Sequence, residues 1–61
     1  MSKNKDFENA LNDIRDAGWN DAENGLEKSV PAWALNYQDS EAELLADEYE
    51  LGYDAFCFTR N

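Results

Sequence analysis

A chain of 61 residues predicts one domain, residues 1–61, that buries only about 60% of its unfolded surface, so its core is small. Fourteen acids against five bases give a net charge of −9, which opposes direct binding to DNA, RNA or anionic lipid and favours a basic protein surface as partner. A hydrophobic fraction of 43% with 13% aromatics is too high for a disordered acidic tail, and the absence of histidine removes Ser–His and Cys–His catalysis.

The first predicted element is a helix from about Asn4 to Asn24. Phe7, Leu11, Ile14, Gly18 and Ala22 recur at i, i+4, i+7, i+11 and i+15, with Ala10 and Ala17 alongside, which is one apolar stripe at helical period. Asn4 or Asp6 can cap its start, and Asn24-Gly25 is a stop signal because glycine takes the left-handed conformation. Glycine inside a helix costs up to about 1 kcal/mol against alanine. Its place on the apolar stripe, at Gly18, predicts that another element packs close there.

Residues 26–39 read as a connection. Val30-Pro31 breaks any helix, since the residue before proline is pushed towards extended geometry. Ala32 to Tyr37 have room for one short helical turn. Trp33, Leu35 and Tyr37 are large for a solvated loop, so the connection is expected to fold back over the helices.

The second predicted helix opens on Ser40-Glu41-Ala42-Glu43, a capping-box pattern with Ser40 as N-cap, and runs to about Phe58. It carries two apolar stripes. Leu45, Tyr49, Gly52 and Phe56 form the first, flanked by Ala42, Ala46 and Tyr53; Leu44, Leu51, Ala55 and Phe58 form the second. A helix apolar on more than one side needs more than one neighbour. Helix 1 covers the first stripe, and either the connection or a second copy of the chain covers the other. The run from Ala17 to Ala22 also echoes Leu51 to Phe56, each placing glycine before an aromatic residue. In an antiparallel hairpin the two glycines would mark a close helix crossing.

The candidate site is acidic. Glu43, Asp47, Glu50 and Asp54 fall at i, i+4, i+7 and i+11 and share a helix face over about 16 Å. Glu41 and Glu48 flank them, and no Lys or Arg occurs between Lys28 and Arg60. Like charges at i, i+4 destabilise a helix by a few tenths of a kcal/mol each. On helix 1, Asp6, Asn9, Asp13, Asp16, Asn20, Glu23 and Glu27 make a second polar stripe with Arg15 as its one base. Successive carboxylates stand roughly 5–6 Å apart. Two such helices side by side would present a phosphate-like field, while an ordinary solvated face is the plainer meaning of a charge run. Trp19 lies off the apolar stripe and Trp33 lies in the connection; each either anchors a partner or caps the small core. The partner-binding candidates are therefore Glu43, Asp47, Glu50, Asp54, Asp13, Asp16, Trp19 and Trp33.

Other chemistry has little purchase. Tuning a catalytic carboxylate takes an apolar pocket that a two-helix domain hardly offers. No segment has the EF-hand alternation, so neither a metal nor another cofactor is expected. Cys57 has no second thiol to pair with and, between Phe56 and Phe58, reads as a buried structural thiol. An unstapled small domain with one thiol suits a reducing cytoplasm. The basic residues of Met1 to Lys5 precede no apolar run, so no signal peptide is expected, and no stretch approaches the roughly 20 apolar residues of a membrane span.

Gly18-Trp19-x-x-Ala22-x-x-Gly25, Val30-Pro31-Ala32-Trp33 and Gly52-Tyr53-x-Ala55-Phe56 together resemble the ribosome modulation factor family. The resemblance spans roughly residues 17 to 56, with a longer gap before Gly52 than the family has. It implies a two-helix cytoplasmic domain that binds ribosomal RNA and protein and promotes inactive ribosome dimers. Family members are strongly basic, and their RNA-contacting bases have no counterparts in this chain.

The expected fold is all-α: two antiparallel helices, a helical hairpin with an aromatic connection, with a homodimer as one way to cover the second stripe. The expected function is non-enzymatic. A small acidic protein inhibits a nucleic-acid-binding host protein by presenting a phosphate-like surface, as suits a small phage or mobile-element product. The alternatives are a ribosome-associated, hibernation-type factor and a small structural or assembly protein.

Overall fold

A computed structural model describes residues 2–60, with side chains described for residues 6–59. Helix α1 spans Ser2–Glu23, a 3-10 turn spans Ala32–Asn36, and helix α2 spans Asp39–Arg60; the described residues contain no strand. The protein is all-α, and its two helices pack against each other.

Local chemistry sets the helix ends. Past α1, Gly25 takes a left-handed φ of 74°. Its N–H donates to the Ala22 carbonyl at 3.1 Å, and the Leu26 N–H reaches back to the Asp21 carbonyl at 2.8 Å. This pair of bonds is a Schellman cap, which satisfies carbonyls the helix leaves open. Pro31 holds an extended backbone, φ −58° and ψ 147°, before the 3-10 turn. Helix α2 begins at Asp39, two residues earlier than the Glu41 start that a Ser40 cap implies. The Ala42 N–H donates to the Gln38 carbonyl at 2.7 Å, which places Ser40 inside the first turn.

The core joins three segments. Ala10 and Ile14 of α1, Ala34 of the 3-10 turn, and Leu45 and Tyr49 of α2 are buried, with Phe7, Leu11, Ala17, Val30, Tyr37 and Tyr53 packed around them. The connection therefore folds back over the helices, as its aromatics predict. It covers the same side of α2 that α1 approaches. The second stripe, Leu44, Leu51 and Phe58, stays exposed.

The direction of the helices differs from the expected antiparallel one. Phe7, early in α1, packs on Tyr37, just before α2, with ring centroids 5.9 Å apart. Trp19, late in α1, packs on Phe56, late in α2, at 5.2 Å. Arg15 meets Glu48 between these two levels. Both helices thus start at the same end and run side by side, and the connection returns between them from Tyr53 and Asp54 down to Phe7. A short loop would force antiparallel neighbours. Residues 24–38 are long enough to travel back along the pair, and the apolar Val30, Ala34 and Tyr37 give that return path something to bury. The overall extents, 39 × 19 × 15 Å, suit two 22-residue helices laid alongside.

The two glycines mark the closest approach. A Cβ on Gly18 would strike the Tyr49 carbonyl and lie 2.9 Å from the Tyr53 nitrogen; one on Gly52 would strike the Arg15 carbonyl. The contact is reciprocal, each helix offering a glycine to the other's backbone. Only hydrogen fits there, which explains why α1 and α2 accept glycine in mid-helix despite its unfavourable propensity.

Candidate protein-interaction surface

Glu43, Asp47, Glu50 and Asp54 are all exposed on α2. Leu45, Tyr49 and Gly52 occupy the buried side of the helix, so the 3.6-residue period turns the acidic row outward, away from α1. The row is not uniform. Lys28 reaches it from the connection, its Nζ 3.1 Å from Asp54 Oδ1 and 3.9 Å from Glu50 Oε2, and 5.5 Å above the Tyr53 ring. The hydrogen bond to Asp54 raises the Lys28 pKa above the usual lysine value, against a smaller opposing effect of desolvation. Among the described residues, Glu43 and Asp47 make no ion pair. The open charge thus concentrates at the first half of the row. Sequence spacing alone missed this, because Lys28 is remote in the chain and arrives only through the fold-back.

The acids of α1 do not extend the same surface. Asp6, Asp13, Asp16 and Glu23 are exposed on α1, Asp16 and Glu23 opposite Ile14 and Gly18 and Asp6 and Asp13 on the flank beside them. Apart from Asp21 and Glu48, which bond across the helices, these carboxylates point away from the shared core, so Asp13 and Asp16 lie on one flank of the pair and Glu43 and Asp47 on the other. Arg15 leaves the α1 stripe and bridges to α2, its Nε and Nη2 donating to Glu48 Oε1 at 2.8 and 2.6 Å.

Trp19 is half-exposed and stands edge-on against half-buried Phe56, at an interplanar angle of 79°. Trp33 is also half-exposed and packs on Tyr37, with centroids 6.4 Å apart. Both rings combine a packing role with an open edge. Cys57 corrects the sequence expectation: its thiol is exposed, because residue 57 faces outward where Phe56 faces in. Flanking aromatics signalled burial in the linear sequence, but neighbours in sequence point to different sides of a helix.

One buried polar group locks this scaffold. The Tyr49 side chain is fully buried, and its hydroxyl donates to the Asp21 carboxylate of α1 while accepting the Ser29 N–H of the connection at 2.9 Å. Burial first, then the bond to Asp21, push the phenol above its ordinary pKa. The Tyr53 hydroxyl donates to the Leu26 carbonyl. These bonds fasten the connection to α2 and so place Lys28 beside Asp54. Tyr49 was legible as an apolar-stripe residue; its polar role was not, since both partners are distant in sequence.

Among the described residues, no helix is long and apolar enough to cross a membrane, and no cluster of three or more His, Cys, Asp or Glu is placed to hold a metal ion. Compared with known proteins, the chain matches no family model, no curated protein and no solved structure.

Proposed function

We propose that this chain is a small, non-enzymatic binding protein whose acidic α2 face occupies a basic, nucleic-acid-binding site on another protein and blocks it. The row of Glu43, Asp47, Glu50 and Asp54, exposed along one helix, is the observation that carries the reading. Carboxylates at roughly one-turn spacing stand where phosphates would, and a net charge of −9 steers the chain towards cationic surfaces. Glu43 and Asp47 contribute most, because Lys28 offsets the charge of Glu50 and Asp54.

The test is capture from a nuclease-treated cytoplasmic lysate at low and high salt, followed by DNA displacement with the captured protein. A nucleic-acid-binding partner that releases DNA when this chain is added, and itself comes off at high salt, is the expected result. The Glu43→Gln/Asp47→Gln variant should lose the displacement. Micromolar binding of the isolated chain to DNA or RNA in a gel shift would overturn the reading, as would capture of intact ribosomes alone.

A further inference from the structure

Beside the acidic row, α2 carries the apolar stripe that the fold leaves open. Leu44, Leu51 and Phe58 recur every seven residues and are 52%, 58% and 83% exposed. Ala55 stands between the last two, and the stripe runs about 21 Å along the helix. Carboxylates border it on both sides. Asp47 and Asp54 each follow a leucine of the stripe by three residues, on the side of the acidic row. Glu41 and Glu48 lie on the side facing α1, where Arg15 holds Glu48.

We infer that this stripe and its acidic borders seat one cationic amphipathic helix of the partner protein. Apolar side chains at i, i+3 or i+4 and i+7 of that helix cover Leu44, Leu51 and Phe58, and Lys or Arg on its flank meet Asp47, which no base among the described residues pairs. The inference rests on the binding role proposed above and names the element that is bound. Charge complementarity selects this occupant over a second copy. Two copies meeting on the stripe would bring the unpaired Asp47 of each and two net charges of −9 together, with the nearby bases Arg15 and Lys28 already engaged by Glu48 and Asp54. A surface that only imitated phosphates would have no use for three exposed large apolar side chains in register. Their exposure leaves apolar area that a helix of matching period removes from water.

The experiment uses two synthetic Leu/Lys peptides of identical composition, each long enough for about five helical turns. One spaces its leucines at helical period and the other is scrambled. Affinity is measured by fluorescence anisotropy across a salt series, with helix content of each protein variant checked by circular dichroism. The amphipathic peptide should bind at least about tenfold tighter than the scrambled one. Leu51→Ser, an exposed change, should erase that preference while keeping the salt dependence, and Leu44→Ser/Phe58→Ser provides the same test at the ends of the stripe. Glu43→Gln/Asp47→Gln should weaken both peptides alike at low salt. Equal binding of the two peptides would overturn the inference while leaving the charge-based reading standing. Failure of both peptides to bind would overturn both. Self-association that Leu51→Ser abolishes and the amphipathic peptide does not displace would make a second copy the occupant, and would also overturn the inference.

Discussion

Tyr49 shows how much a single side chain organises in a molecule this small. Its ring fills the core between the helices, and its hydroxyl ties Asp21 of α1 to Ser29 of the connection. Tyr49→Phe keeps the ring and removes both bonds. It should lower stability by about 1–2 kcal/mol in urea unfolding, the usual effect of losing a buried hydroxyl that serves two partners. The pH dependence follows from the direction of the shift. The folded state holds the phenol proton more tightly than the unfolded chain does, so its stabilising effect is complete below the ordinary phenol value. It is lost as pH rises past about 10, where the unfolded chain ionises first. Unfolding free energies measured across that range should fall with pH in the wild type and fall less in Tyr49→Phe. Equal slopes would remove Tyr49 from the alkaline transition.

At the scale of the element, α2 serves three masters on three sides. Leu45, Tyr49 and Gly52 face the core, Glu43 to Asp54 face solvent as a charged row, and Leu44, Leu51 and Phe58 form the open apolar stripe. The charged row divides in two according to what reaches it. In Glu43→Gln/Asp47→Gln, the removal of like-charge repulsion should raise helix stability by a few tenths of a kcal/mol. In Glu50→Gln/Asp54→Gln the same relief is accompanied by loss of the Lys28 contacts, so no gain in thermal midpoint is expected. Thermal unfolding of the two variants at low salt separates the halves. If both rose equally, Lys28 would have no part in holding the connection to α2. Stability and binding should move in opposite directions only for the first pair, as expected of a surface kept for a partner.

For the whole molecule, the return path of the connection sets the architecture. A chain that turned back at once after Gly25 would lay α2 antiparallel to α1. Instead residues 26–38 run along the pair, bury Ala34, and start α2 beside the start of α1. Paired spin labels test this in a Cys57→Ser background. Labels at Glu8 and Ser40 should lie closer than labels at Glu8 and Thr59, since Ser40 and Thr59 are about 28 Å apart along α2. The reverse order of distances would mean an antiparallel pair. The same architecture keeps the α1 and α2 carboxylates on opposite flanks, so one flat partner surface meets one row or the other.

Periodicity and turn chemistry were enough for the elements. The stripes of Phe7 to Ala22 and Leu45 to Phe56 place two helices, Asn24-Gly25 ends the first, and Val30-Pro31 keeps the connection out of either. Gly18 and Gly52 on those stripes announced a close backbone contact, because glycine's cost inside a helix is tolerated where a Cβ would collide. These are local signals, carried by residues within a few turns of one another. The relative direction of the helices, the pairing of Lys28 with Asp54, the hydroxyl bonds of Tyr49 and the exposure of Cys57 were settled only in three dimensions. Each depends on where a long connection lands or which way one residue faces. Apolar contacts gathered along the whole return path decide that landing, rather than any short motif.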